Sequence, residues 1–166
     1  VPDPLSEAHR LAQVRLGAVT AAAVVEVWPL LDPRNLDATF RRWLTAVTPI
    51  VTANRIVSTR LAANYLTAHR TNLLGAGAEP FTPVAAGRVD PDRLRTSLVV
   101  TGPVSIRSAM TRGVTVERAA DIAAANTARA AMRHALDGGR ESILATIKAD
   151  PRASGFERTT SGNACD

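Results

Sequence analysis

The chain has 166 residues, of which 46% are hydrophobic and only 4% aromatic, and its formal net charge is +5. This length and apolar content suffice for one domain or two small ones with a core, and they exclude a disordered composition. The apolar fraction is dominated by alanine, valine and leucine, which favours close helix packing over a sheet. The sequence therefore predicts a mainly α fold.

The positive charge rests on arginine, since Lys148 is the only lysine. The planar arginine fork suits carboxylate and phosphate groups, so an acidic or nucleic-acid partner is one explanation of the bias. A GC-rich coding sequence, which favours arginine and alanine codons, is another. The two explanations are compatible and both stay open at this stage.

Membrane and disulfide chemistry are not expected. The most apolar stretch, residues 20–27, contains Glu26, and no uninterrupted apolar run reaches about 18 residues. The single cysteine, Cys165, excludes an internal disulfide. We expect a soluble protein made in the cytoplasm, with no membrane partner. Because the chain begins at Val1 and stops just after the cysteine, we also expect both ends to be incomplete.

The first predicted helix begins at Asp3 and Pro4, an N-cap acceptor followed by a residue whose missing N–H costs nothing at the first helical position. Apolar residues recur at helical spacing as far as Trp28, and Pro29 ends the helix. The residues of this predicted apolar face are Leu5, Ala8, Leu11, Ala12, Leu16, Val19 and Ala23.

A second helix is predicted to begin within residues 32–35. Pro49 interrupts it, either as a kink or as a clean break with Thr48 capping a third helix. That third segment runs to Leu74, where Gly75 stops it. The predicted apolar faces contain Phe40, Trp43, Leu44 and Val47 before the proline, and Ile50, Val57, Leu61 and Leu66 after it.

Residues 75–90, GAGAEPFTPVAAGRVD, lack periodicity and are rich in Gly, Pro and Ala, which indicates a linker or extended arm. This arm is predicted to join two helical regions built from helical hairpins and a bundle, and it marks the boundary between them. The resulting division is a helical region at 1–74, the arm at 75–90, a second helical region at 91–150 and a short strand and turn element at 151–166.

The second region is predicted to contain several helices. A helix opens at Asp90 and Pro91, and residues 101–103 break it before a short helix over 104–111. Thr115 caps a long alanine-rich helix over 116–136. The remaining predictions are a stop or sharp bend at Gly138 and Gly139, a further helix over 141–149 closed by Asp150 and Pro151, and a strand and turn over 155–166.

Four arginines of the long helix form a candidate contact site for a partner or for nucleic acid. At about 100° per residue, Arg118, Arg129, Arg133 and Arg140 fall within roughly 60° of one another if the helix continues unbroken. Either the stems lie on apolar neighbours while the heads reach solvent or Asp121 and Asp137, or both helix faces are contact faces. A helix-turn-helix over 104–133 is a third interpretation, although its second helix begins with residues poorly suited to base edges. All three interpretations stay open here.

No catalytic constellation is evident in the sequence. His9, His69 and His134 are far apart in the sequence, and each is predicted to be partly exposed on a helix without a neighbouring cysteine or serine elbow motif. Asp90 and Asp92 are explained by the helix N-terminus that they flank. We therefore expect no enzyme over these residues and no evident cofactor.

Cys165 is the candidate metal ligand. Its setting, SGNAC, has the form of a tight turn that begins a zinc knuckle. A structural zinc site needs four ligands, and the others are absent from this sequence. Zinc is therefore only a candidate cofactor, and only for a longer chain.

Four segments together resemble the MuF-like minor head proteins of actinobacterial tailed phages, sometimes fused to a capsid maturation protease. They are SLVVTGP at 97–103, RG at 112–113, HALDGGRE at 134–141 and FERTTSGNAC at 156–165. The similarity covers roughly residues 90–166, and in that family the position of Cys165 opens a CxxC pair. This chain stops before the second cysteine.

The resemblance implies a structural role in the phage head. It predicts a virion protein in the capsid interior at the portal vertex, acting in head assembly, genome packaging or delivery. The implied partners are the portal protein, the major capsid protein and packaged double-stranded DNA. The alternatives are the noncatalytic N-terminal part of a maturation protease fusion, and a soluble DNA-binding helical protein.

Overall fold

The computed structural model describes residues 3–75, 81–86 and 88–153, and its regular structure is helical throughout these ranges. The mainly α prediction is confirmed. The helices are α1 (Pro4–Glu26), α2 (Leu36–Leu74), α3 (Pro91–Val99), α4 (Ser105–Thr111) and α5 (Val116–Ala149), with a 3₁₀ turn at Trp28–Leu30 and a π-helical turn at Val100–Val104. The strand predicted over 155–166 lies outside the described residues.

Three of the predicted helix starts are confirmed by their caps. The Asp3 carboxylate accepts a hydrogen bond from the Ser6 amide at 3.1 Å, and the Asp90 carboxylate accepts from two amides of the first turn of α3. The Thr115 hydroxyl accepts from the Arg118 amide at the start of α5. These side chains satisfy amides that the first helical turn leaves without an intrahelical partner. Gly75 ends α2 with a φ of 79°, a conformation that favours glycine.

Two predicted interruptions are absent. Helix α2 runs for 39 residues through Pro49, so no third helix begins there. The Thr48 hydroxyl does not cap a new helix; it donates to the Leu44 carbonyl at 2.8 Å, within the same helix. Likewise α5 runs for 34 residues, and the stop at Gly138 and Gly139 and the separate helix over 141–149 were wrong. Packing of both long helices along their length outweighs the local cost of these residues.

Helices α1, α2 and α5 pack against one another, while α3 and α4 pack at one end of α5. The core at that end is apolar and centres on Trp43, which is fully buried. Trp28 meets its ring edge-on at 5.7 Å, and Gly102 lies so close that an added Cβ would be 2.9 Å from the indole. The other buried members include Val24, Val47, Val51, Leu94, Leu98 and Ile106.

The described part of the predicted arm lies along α5. The Val84 amide donates to the Thr146 hydroxyl at 2.9 Å, and the Ala86 amide donates to the Ser142 hydroxyl at 3.1 Å. Phe81 lies under the Arg70 guanidinium, whose carbon is 4.4 Å from the ring centroid. These contacts hold the described part of the arm against α5 and α2.

The apolar faces predicted for α1 and for the second half of α2 were wrong in part. Val19 and Val57, predicted to face the core, are exposed, whereas Thr20 and Arg55 are buried. Helix α1 is apolar around most of its circumference, so spacing could not select the inner face. Among the described residues, one helix, Pro4–Leu30, is long and apolar enough to cross a bilayer by length and composition. A core helix or a signal sequence near the N-terminus meets the same criteria, so the prediction of no membrane partner stays a prediction.

Candidate arginine contact surface

Helix α5 has an inner face of small residues that packs against α1 and α2. Alanine, glycine, serine and threonine side chains let neighbouring helix backbones approach closely, because little volume separates them. The inner face therefore belongs to the core of the molecule, as one of the two sequence interpretations required. The buried residues are Ala119, Ala123, Thr127, Ala128, Ala130, Ala131, Ala135, Gly138, Gly139, Ser142 and Thr146.

The outer face of α5 carries the four predicted arginines, Arg118, Arg129, Arg133 and Arg140, all of them exposed. We call this set the arginine face. Because α5 is unbroken, the condition for their alignment is met. At 1.5 Å per residue the face is about 33 Å long. It is therefore a line of positive charge rather than a compact cluster.

The arginine heads are largely free of intramolecular ion pairs. Arg140 reaches Asp137 at 3.4 Å, which is one of the two carboxylates predicted to receive them. Arg118, Arg129 and Arg133 form no ion pair with any residue that the structure describes. Exposed aliphatic side chains, Ile122 and Leu144, lie on the same helix. The face thus offers guanidinium groups with their hydrogen-bonding capacity available to another molecule.

A polar crossing of three helices lies on the inner side of the same stretch of α5. The Gly139 amide donates to the Ser58 hydroxyl at 3.0 Å, and that hydroxyl donates to the Gln13 amide oxygen at 2.9 Å. A Cβ on Gly138 would be 2.6 Å from the Arg55 carbonyl oxygen. The two glycines therefore mark a point of close approach between α5 and α2. We call Gln13, Arg55, Ser58, Gly138 and Gly139 the glycine crossing.

Arg55 is the charged member of this crossing. Its guanidinium donates to the His134 carbonyl at 2.8 Å and pairs with Glu141. The Arg55 side chain is 5% exposed, whereas Glu141 is 42% exposed, so the pair connects the interior to solvent. A buried guanidinium needs such partners because an uncompensated charge in the interior is costly. Arg55 is thus committed to the fold, unlike the arginines of the outer face.

Burial lowers the pKa of His134 from its ordinary value of 6.5. Asp137 opposes this shift, while the positive charges of Arg93, Arg55 and Arg133 add to it. The folded chain therefore favours the neutral form of the His134 ring.

The structure brings two of the three histidines together. His9 of α1 and His69 of α2 each stack on the ring of Tyr65, with centroid distances of 4.6 and 5.5 Å. The Ser6 hydroxyl lies 3.0 Å from the Tyr65 hydroxyl, and His69 Nδ1 lies 3.8 Å from the Asp3 carboxylate. All three histidines are partly exposed, as predicted. The stack joins the first turns of α1 to the last turns of α2.

The described residues support neither the predicted metal site nor the helix-turn-helix interpretation. Cys165 lies outside the described residues, which contain no group of three or more potential metal ligands. Helix α4 and the start of α5 do follow one another across a turn at Arg112 and Gly113. However, Glu117 in the first turn of α5 is acidic and pairs with Arg34 at 2.5 Å. An acidic side chain held in an ion pair at the first turn of α5 is poorly suited to the base-reading role of a recognition helix.

Sequence reasoning missed the glycine crossing, which it interpreted as a helix end. The missed signal was the small-residue spacing, since Gly138, Gly139 and Ser142 continue the alanine pattern of α5. A glycine pair that continues such a pattern indicates close helix contact.

The comparisons with known proteins give one match. A family model described as VG15 protein matches residues 3–166, which is nearly the whole chain. No curated protein and no solved structure matches this chain.

Proposed function

The chain belongs to the VG15 protein family, and from that premise we propose that it is a structural minor head protein of a tailed bacteriophage. Family membership makes it a phage protein. The proposed location is the capsid interior at the portal vertex. The proposed partners are the portal protein, packaged double-stranded DNA and the major capsid protein. Over these residues we propose a contact protein and not an enzyme.

The arginine face is the observation that carries this proposal. A helix whose inner side packs in the core presents Arg140 and three further arginines to the outside, and these three form no ion pair with any described residue. Duplex DNA carries a dense line of phosphates, and planar guanidinium groups bind phosphate in a bidentate way. The length of the face, about 33 Å, is close to one helical turn of a duplex, which is roughly 34–36 Å. A line of separated arginines therefore fits a phosphate backbone better than a single anionic group.

The expected binding is independent of base sequence. Arginine forks on an exposed helix can reach the phosphate backbone without entering a groove, and contacts of this kind carry no sequence information. Packaged DNA has no fixed register, so sequence-independent contacts suit a protein inside the head. Many weak contacts of this kind act together when several copies are held at one site.

The first test is the salt dependence of binding to a random-sequence duplex. If four arginines each neutralise a phosphate, the logarithm of the association constant should fall against the logarithm of salt with a slope of about −3 to −4. Replacing all four arginines by glutamine should flatten that slope and weaken binding at low salt at least tenfold. Fluorescence anisotropy over a salt series measures both quantities.

A matched control separates the face from net charge. Arginines on other helices are also exposed, and replacing four of them by glutamine removes the same charge. These control positions are Arg41, Arg42, Arg60 and Arg95. If the control variant loses as much slope as the variant of the arginine face, binding depends on net charge alone and the proposed face is wrong.

The second test is the location of the chain in the particle. Mass spectrometry of purified heads and cryo-microscopy of the portal vertex should find the chain inside intact virions. Its absence from the head would contradict the minor head role. If the chain still bound DNA through the arginine face, the second candidate function, a soluble DNA-binding protein, would replace it.

A further inference from the structure

We propose that a cleft between α2 and α3 binds a segment of a partner protein that presents one large apolar side chain beside a carboxylate. The cleft has a volume of about 280 Å³. Its lining residues come from α2, from the end of the arm and from the first turn of α3. They are Thr48, Thr52, Ile56, Arg88, Val89, Pro91 and Leu94. None of them belongs to the arginine face of α5, so the proposal does not depend on DNA binding.

The cleft is apolar although two threonines line it. The Thr48 hydroxyl donates to the Leu44 carbonyl at 2.8 Å, and the Thr52 hydroxyl donates to the Thr48 carbonyl at 3.0 Å. Because both hydroxyls are satisfied by the backbone of their own helix, each threonine leaves its methyl group for the cleft. Leu94 is only 1% exposed and adds aliphatic surface from the core. A side chain that enters the cleft is therefore stabilised if it is apolar.

The size and openness of the cleft favour a side chain of another protein over a free small molecule. Ile56, Arg88 and Pro91 are exposed, so the cleft is open to solvent on one side. Pockets for free small molecules have volumes of roughly 300–1,000 Å³ and bury most of the ligand. A smaller, open cleft holds one anchoring side chain while the segment that carries it stays at the surface.

Arg88 decides the charge of the partner. It is the only charged residue among those that line the cleft, and it forms no ion pair with any residue that the structure describes. The nearby Asp90 carboxylate accepts from the Asp92 and Arg93 amides at 3.0 and 3.2 Å, so it is engaged as the N-cap of α3. A guanidinium binds a carboxylate through two parallel hydrogen bonds. The partner segment is therefore acidic beside its apolar side chain.

Binding of an isolated peptide at this cleft should be weak. One anchoring side chain and one exposed ion pair bury far less surface than the roughly 1,200 Å² or more of a stable complex. We expect dissociation constants of about 0.1–1 mM for short peptides. Several copies held together in one assembly would bind a repeated partner more tightly.

The experiment is an NMR titration of the ¹⁵N-labelled full chain with capped nine-residue peptides at millimolar concentration. Each peptide has a central leucine or phenylalanine in a glycine and serine background, and glutamate occupies each other position in turn. Amide shifts at Thr48, Thr52, Val89 and Leu94 should locate the peptide in the cleft. In at least one register, the glutamate peptide should bind about twofold to fivefold more tightly than its glutamine counterpart, which is the range of an exposed ion pair. Peptides with a central alanine should cause no shift.

Variants of the cleft test charge and shape separately. Arg88→Glu should reverse the preference, so that lysine peptides bind more tightly than glutamate peptides. Its matched control is Arg95→Glu, an exposed position of α3 outside the cleft, which should keep the preference of the wild type. Ile56→Lys should weaken binding roughly tenfold or more, because it places a charge in the apolar cleft. Val57→Lys, also exposed on α2 but outside the cleft, should not, and circular dichroism checks that each variant is folded.

Four results would overturn the proposal. The first is the absence of shifts at the cleft with every leucine and phenylalanine peptide. The second is binding that Arg88→Glu leaves unchanged. The third is a dimer in sedimentation velocity that Ile56→Lys abolishes and Val57→Lys does not, which would assign the cleft to a second copy. The fourth is a DNA salt slope that Arg88→Gln reduces by about one while no peptide binds, which would assign Arg88 to a phosphate.

Discussion

The two halves of α2 reach the core by different chemistry. The first half contributes Trp43, Val47 and Val51 to an apolar core, where large side chains fill volume. The second half contributes Arg55 and Ser58 to the glycine crossing, where backbones approach closely and polar groups are paired. One helix can therefore be buried by large side chains at one end and by small residues that permit close backbone contact at the other.

The tolerance to substitution should differ accordingly. In the apolar core, removing atoms is the damaging change, because a cavity remains. At the glycine crossing, adding atoms is the damaging change, because helix backbones are already in contact. Three measurements test this difference between the two halves of α2.

The largest effect is expected at Trp43. Trp43→Ala should lower the free energy of unfolding by about 3–5 kcal/mol, because the fully buried indole contacts Trp28, Phe40 and Gly102. Trp43→Phe should cost less, about 1–2 kcal/mol, since it keeps much of the volume. It also removes the indole N–H, which has no hydrogen-bond partner among the described residues. Urea unfolding followed by circular dichroism measures both, and equal losses would show that volume is not what matters here.

A smaller effect of opposite origin is expected at the glycine crossing. Gly138→Ala should destabilise the chain by about 1–3 kcal/mol, because its Cβ would be 2.6 Å from the Arg55 carbonyl oxygen, a backbone atom. The matched control is Gly17→Ala in α1, where the nearest atom is the flexible Met132 side chain at 3.0 Å. There the gain in helix propensity offsets the contact, so the change should stay within about 1 kcal/mol. If the two variants unfold at the same urea concentration, α2 and α5 do not approach closely at this point.

The smallest effect is a pH dependence near the glycine crossing. Because burial lowers the pKa of His134 in the folded chain, the unfolded chain binds a proton first as pH falls. This contribution to stability is complete above pH 6.5 and is lost as pH falls from 6.5 through the lower folded-state pKa. His134→Gln should therefore reduce the loss of stability between pH 7 and pH 5. The difference between the two urea midpoints, measured at each pH, isolates His134 from the carboxylates that titrate in both proteins. A difference independent of pH would contradict this cause.

Local sequence signals predicted the helix starts well and the helix contacts poorly. Asp3, Asp90 and Thr115 could be identified as caps because an N-cap interaction involves neighbours within one turn. Pro49 and Gly138 are locally unfavourable in a helix, and from neighbours alone both were interpreted as interruptions. The stabilisation that keeps these helices continuous comes from residues distant in the sequence.

For the candidate site too, the sequence predicted some features and the structure alone established others. The alignment of Arg118, Arg129, Arg133 and Arg140 could be predicted conditionally, because helical periodicity places them on one side of any unbroken helix. Only the structure established that α5 is unbroken, that the alanine side is the buried one, and that three of these arginines have no ion pair with described residues. The contact role itself stays a prediction.

By itself, the sequence determined the helical class, the caps and the angular positions of the arginines, since each depends on composition or on neighbours within a few residues. The tertiary structure decided which faces are buried and which apparent helix breaks persist. Helix α1 is apolar on nearly every side, and Arg55 becomes a core residue only because Glu141 and the His134 carbonyl are brought to it. Which face is buried and whether a helix continues depend on packing free energy summed over residues distant in the sequence. The periodicity of one segment carries no information about those residues.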